Sequence, residues 1–231
     1  MDFKFSEEQE MIRTTAEAFL GQVSTSAAVR EAMATELGYD SQLWQRICDE
    51  MLWQAIHIPE QYGGMGLGYV EMVAMLEQMG RYLFCSPFHA TVCMAVNALL
   101  LAGTEEQKAL YLPQIIAGKT ATVAYTGGSG SWQADTVEVV CQKTPTGFQL
   151  DGSYRFIPDG HSADLLIVAA RLEGSRGEEG VSLFVLPAHT AGVSRQWLPT
   201  MDQTRKQAKI ELDGVLLPFD VLMGEYGQAW P

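Results

Sequence analysis

Few side chains in this 231-residue sequence stand in spacings that could do chemistry, and the richest stretch is Tyr125-Thr126-Gly127-Gly128-Ser129-Gly130-Ser131-Trp132. Its glycines leave backbone N–H groups unobstructed, and such a segment can curl into a nest that receives phosphate oxygens. The same Gly/Ser composition suits a plain flexible loop, which composition alone favours. A second glycine run, Gly63-Gly64-Met65-Gly66-Leu67-Gly68, does not obey GxGxxG and follows Pro59 in a helical context rather than a buried strand. It reads as a connection between packed helices, not a dinucleotide loop. Ser, His and Asp are all present, yet no GxSxG elbow exists to support a hydrolase triad. The acidic pairs at 7–8, 105–106 and 178–179 fall at helix starts or in a loop, as dipole-complementing or solvated charges do. The histidines at 57, 89, 161 and 189 are far apart, with no HExxH. The cysteines at 48, 85, 93 and 141 form no CxxC and resemble small buried hydrophobes. Met65, Met72, Met75 and Met79 read as adaptable core.

The elements that must position these groups divide at Gly118. Before it the period is helical. Ser6 and Gln9 form a capping box, and Met11, Ile12, Ala16, Phe19, Leu20 and Val23 recur at three- and four-residue steps. A second helix is predicted from Ser41, carrying Leu43, Trp44, Ile47, Met51 and Leu52, and a third over Val70, Val73, Ala74, Leu76 and Met79. Residues 90–102 are apolar nearly all round and read as the most buried helix, with Gly103 as a left-handed C-cap. Thr104 and Gln107 make another capping box opening a helix towards Ile116.

After Gly118 the period becomes two. Strands are predicted at 121–126, 137–142, 164–171, 181–187, 209–212 and 215–217. Residues 145–147 read as a turn, and Asp151-Gly152 and Asp213-Gly214 as hairpin turns, since both residue types tolerate positive φ. The expectation is α+β: an all-α helical domain over residues 1–118, then an antiparallel β-barrel or sandwich over residues 119–231.

Composition narrows the partners. Hydrophobic residues make up 47% of the chain, enough for a core, and charged residues only 19%, too few for a disordered one. A net charge of −13 disfavours nucleic acid and anionic membranes, which are bound through Lys and Arg. Two acids among the first seven residues disfavour a secretory signal, and the longest apolar stretch, 90–103, is shorter than the roughly 20 residues of a membrane span. These features predict a cytoplasmic protein with no membrane span.

Several motifs in register carry a family resemblance. The segment Pro59-Glu60-Gln61-Tyr62-Gly63-Gly64-Met65-Gly66-Leu67 resembles the PEEYGGLGL segment of acyl-CoA dehydrogenases. Gly103-Thr104-Glu105-Glu106-Gln107-Lys108 with Tyr111-Leu112-Pro113 resembles their GTEEQKxxYLP helix. Leu150-Asp151-Gly152 through Phe156-Ile157 resembles their LNGxKxWITN segment, and Leu212-Asp213-Gly214-Val215 to Gly224-Glu225 the strand leading out of their middle domain. The resemblance implies FAD held against the β-domain and α,β-dehydrogenation of an acyl-CoA thioester to the trans-2-enoyl-CoA, with electrons passing to electron-transfer flavoprotein. It places Val123, Tyr125 and Thr126 on one side of the flavin ring and Phe156, Ile157 and Pro158 on the other. It places Ser131 and Trp132 at the pyrophosphate and substrate, and Ala90, Thr91 and Met94 on the helix lining the acyl cavity.

Three departures stand against that pattern. The family's TEPxxGSD signature here runs from Thr126 to Gln133, with Gly127 replacing its acid and Trp132 its phosphate-facing serine. Pro158 replaces the hydroxyl that serves flavin N5. The sequence stops at Pro231, where the family's C-terminal helical bundle with its glutamate base would begin. No catalytic base is therefore assigned in this chain. The alternative to an active dehydrogenase is a non-catalytic, flavin-poor partner subunit of a heteromeric one. Either reading predicts a homo- or hetero-oligomer.

Overall fold

The computed structural model describes residues 4–230. Residues 1–3, part of the stretch read above as non-secretory, and Pro231 lie outside the described residues.

The helical half begins where predicted. Ser6 accepts the N–H of Gln9 and the Gln9 side chain returns to the Ser6 N–H, opening α1 (Glu7–Val23). A short helix not predicted from the sequence follows, α2 (Ser26–Ala34), capped by Thr25. It is nine residues long and buries only Val29. Asp40 caps α3 (Ser41–Arg46), which widens into a π-turn over Ile47–Met51 and ends with Leu52 in the left-handed region. The glycine connection leads to α4 (Tyr69–Arg81), whose N-terminal N–H at Gly68 is accepted by Glu71. Inside that connection Gly64 is obligatory, because a Cβ there would lie 2.0 Å from the Ile58 carbonyl oxygen.

The apolar segment is helical but not uniform: His89–Val96 is π-helical and continues as α5 (Asn97–Ala102). Gly103 ends it in an extended conformation, φ −68°, not the left-handed cap expected. Its glycine is demanded by space instead, since a Cβ would meet the Leu99 carbonyl oxygen at 2.5 Å. The second capping box is present at Thr104 and Gln107 and opens α6 (Glu105–Ile116).

Eight strands follow among the described residues: β1 (Ala121–Ala124), β2 (Val140–Thr144), β3 (Gly147–Pro158), β4 (Leu165–Leu172), β5 (Val181–Pro187), β6 (Val193–Leu198), β7 (Gln207–Leu217) and β8 (Leu222–Met223). The sheet order is β6-β7-β3-β2-β4-β5-β8, with β1 added alongside β4. The α+β class holds, and most pairings are antiparallel, but β4 pairs with both β1 and β2 in parallel. The β2–β3 hairpin turns at Pro145 and Thr146 as predicted. Asp151-Gly152 and Asp213-Gly214 are not turns. Both lie inside long strands, where β3 and β7 slip register between Leu150 and Gly152, and the Gly214 N–H donates to Asp151 Oδ1 at 2.7 Å. The two positive-φ-tolerant pairs thus face each other as a bulge.

Three large apolar clusters organise the described residues. One lies within the helices around Trp44, Ile47, Met75 and Phe88. A second fills the sheet around Tyr154, Phe184, Leu150 and Ile210. The third joins the halves, with Ile58, Val96, Leu99 and Leu112 packed on Ala121, Ile167 and Val185. Side chains also cross this seam to backbone carbonyls: Arg205 donates to Phe84, Lys206 to Met33, and Gln107 to Asp220 and Leu222. The helices therefore hold β1, and with it the glycine loop, in a fixed position.

Candidate functional site

The glycine loop leaves the end of β1 and meets the end of β3. Thr126 is buried and binds Arg155 twice: its carbonyl accepts the Arg155 N–H at 3.0 Å, and its hydroxyl donates to the Arg155 carbonyl at 2.5 Å. That pairing brings Tyr125 and Thr126 beside Phe156. Between Tyr154 and Ile157 the β3–β7 ladder slips, and Phe156 sits there at φ 61°, exposed, with its ring against Gly130. The position opposite it favours glycine, since a Cβ on Gly130 would lie 3.3 Å from the ring at a φ of +69°. Ile157 is buried and paired with Ala208, and Pro158 is paired with Gln207 while its carbonyl accepts the Thr122 hydroxyl at 2.7 Å.

The loop is a closed turn, with the Gly130 N–H donating to Gly127 at 3.1 Å. Ser131 is engaged locally: its N–H reaches Ser129 and its hydroxyl accepts the Gln133 N–H, each at 3.2 Å. Trp132 is 73% exposed and meets the half-buried Tyr125 edge-on at 6.5 Å. Tyr125 also touches Trp230, at 6.4 Å, and burial raises its phenol pKa.

The helix expected to line an acyl cavity abuts the start of β1. Ala90 and Thr91 are fully buried, and the Thr91 hydroxyl spans both backbone groups of Ala121, at 3.0 and 3.2 Å. Val123 and Met94 are half-buried. Where the π-helical stretch ends, Asn97 Oδ1 accepts the Tyr69 hydroxyl at 2.8 Å and lies 3.2 Å from His57 Nε2. Burial lowers the His57 pKa, favouring the neutral ring. All four cysteines are free thiols, each pushed up in pKa by burial.

Sequence reasoning missed two acids at this end of the sheet. Glu138 lies beneath the glycine loop, its Oε1 accepting the Gly128 N–H at 3.0 Å. Asp159, directly after Pro158, is 6% exposed at φ 52°, and burial raises its pKa to about 7 against an opposing pull from Arg205. The outward parity of Glu138 between Val137 and Val139 was a legible signal, but its target was not.

These motifs have relatives. Residues 6–119 match the family described as acyl-CoA dehydrogenase, N-terminal domain. Acyl-CoA dehydrogenase IpdE2 of Mycolicibacterium smegmatis is 30% identical over 89% of this chain and 52% of its own length. The mitochondrial isovaleryl-CoA dehydrogenase of Oryza sativa subsp. japonica is 26% identical over 97% of this chain and 56% of its own. The chain belongs to the acyl-CoA dehydrogenase family. This is a family of flavoprotein oxidoreductases of lipid metabolism, and the chain spans about half the length of the curated relatives it matches. Among solved structures, the ChsE4-ChsE5 complex from Mycobacterium tuberculosis superposes with a TM-score of 0.86 at 26% identity, covering 99% of this chain and 60% of that one.

FAD, the family's cofactor, would meet three groups at this site that do not fit it as donors. The single Thr126 hydroxyl proton is spent on Arg155, Pro158 offers neither hydroxyl nor N–H, and a carboxylate already holds the Gly128 N–H. No helix among the described residues is long and apolar enough to cross a membrane.

Proposed function

We propose that this chain is a non-catalytic, flavin-free partner subunit of a heteromeric acyl-CoA dehydrogenase. The observation that carries the reading is the double hydrogen bond between Thr126 and Arg155, with Pro158 completing the far side. The two segments expected to present donors to a flavin ring are instead bonded to each other. A ring inserted there would leave its polar edge without partners, a cost of about 1–3 kcal/mol for each unmet group. The likeness to one chain of a two-component complex supports a heteromeric setting. Within such an assembly the chain would contribute packing surface and shape to a site whose chemistry resides in its partner.

The second reading is that the whole protein carries out FAD-dependent α,β-dehydrogenation of an acyl-CoA, with Val123, Tyr125, Thr126, Ser131, Trp132, Phe156, Ile157 and Pro158 around the flavin. Ala90, Thr91, Met94 and Trp132 would then face the acyl group. Its support is the match to dehydrogenases across 89% of this chain.

Thermal unfolding separates the two. A ligand that binds the folded state at a hundred times its Kd adds about 2.7 kcal/mol, which raises Tm by about 5–10 °C in a chain of this size. Saturating FAD is expected to leave the Tm of this chain unchanged. An upward shift of several degrees would overturn the partner reading.

A further inference from the structure

We propose that Glu138 is a built-in anionic ligand of the glycine loop, occupying the N–H site at Gly128 that a diphosphate would require. The inference rests on the flavin-free reading and concerns the phosphate end of the same site.

The loop has the composition of an anion nest, but its geometry already contains an anion. Glu138 Oε1 accepts the Gly128 N–H at 3.0 Å. The carboxyl group also fills the space beside Gly127, where a Cβ would lie 2.5 Å from the Glu138 Cδ. A side chain at Gly127 would therefore have to displace the Glu138 carboxyl group from this position. The Gly127–Gly130 hydrogen bond closes the turn over that carboxylate.

Glu138 is held in place rather than drifting in solvent. Its neighbours Val137 and Val139 are 2% and 0% exposed, which forces the intervening side chain outward onto the loop. The segment is anchored in turn by Arg171, 8% exposed, whose guanidinium donates to the carbonyls of Val137, Ala134 and Gly177. Arg171 spends these donors on neutral carbonyls. A diphosphate approaching the loop would meet a fixed carboxylate at hydrogen-bond range, and like charges so placed repel strongly.

The test titrates FAD against the wild-type chain, Glu138→Ala and Glu138→Gln, reading bound flavin by equilibrium dialysis, with thermal melts confirming that each is folded. Glu138 is exposed, so its removal leaves the core intact. Glu138→Ala is expected to bind FAD at least about tenfold more tightly than wild type, and Glu138→Gln to gain less because it still caps the Gly128 N–H. A folded Glu138→Ala chain with the wild type's affinity overturns the proposal. If both then bind nothing, the flavin-free reading survives it; if both bind one FAD per chain, that reading falls as well. A wild type that binds FAD and a Glu138→Ala chain that binds it tenfold tighter would sustain the role of Glu138 and overturn only the flavin-free reading.

Discussion

Asp159→Asn is expected to remove a steep fall in stability between pH 4 and pH 7, and to leave the protein more stable than wild type above neutrality. The wild-type carboxyl is buried where the strand-rich half meets the helices, and its pKa stands at about 7, raised from an ordinary 3.8. Desolvation is the main cause, and Arg205 offsets part of it. Tyr39 feels the same acid: its phenol is pushed up to about 12 by burial first, then by Asp159 and Asp164. The sign follows from proton binding. Between the two pKa values the folded chain keeps a proton that the unfolded chain releases, so stability drops as pH rises through that window and levels off above it. At one pKa unit per 1.36 kcal/mol the group costs up to about 4 kcal/mol at pH 8. Asparagine keeps the shape, carries no charge, and accepts the left-handed backbone that Asp159 adopts at φ 52°. Urea unfolding of both proteins from pH 4 to pH 8 reads the difference directly. Parallel stability curves would show that Asp159 is not desolvated.

Lys206→Ala carries the second large effect. Lys206 is 2% exposed and donates to the Met33 carbonyl at 2.8 Å and to Gln203 Oε1 at 3.1 Å. Its ammonium also stands 4.3 Å from the centre of the Trp197 ring. The stem lies so close to Gly38 that a Cβ there would sit 2.3 Å from Lys206 Cγ. Truncation leaves the Met33 carbonyl at the C-terminal end of α2 without its donor and opens a cavity beside Gly38. Together these are worth about 3–4 kcal/mol. Because α2 has little apolar anchorage of its own, its amides should lose most of their hydrogen-exchange protection. Lys206→Met keeps the stem and should cost less. A loss below about 1 kcal/mol with unchanged exchange in α2 would show that the lysine is not the clamp.

What could be read from the sequence followed the reach of each signal. Capping boxes at Ser6/Gln9 and Thr104/Gln107 are complete within four residues, and both formed. Asp151-Gly152 and Asp213-Gly214 show the limit of local reading. Their tolerance of positive φ is a property of the residues, but whether it makes a reversal or a bulge depends on the strand opposite. The edge strand β6 was missed because its side chains are exposed or half-buried throughout and do not alternate. At the site, the glycine loop and the Pro158 substitution were visible as residue types. Glu138 is ten residues from its hydrogen-bond partner, so its outward parity was legible but its target was not, and the burial of Asp159, whose charge is felt by Tyr39 120 residues away, could be recognised only in the folded chain.

The most direct test of the flavin-free partner reading is a count of flavin per chain. The protein would be isolated with any subunit that holds it, in the presence of excess FAD, and its native mass compared with the flavin released on denaturation. The prediction is an assembly containing a second acyl-CoA dehydrogenase chain and fewer flavins than chains, with none retained by this chain when it is separated from its partner. One FAD bound per copy of this chain, bleached on addition of an acyl-CoA, would contradict that reading and make the chain part of an active dehydrogenase.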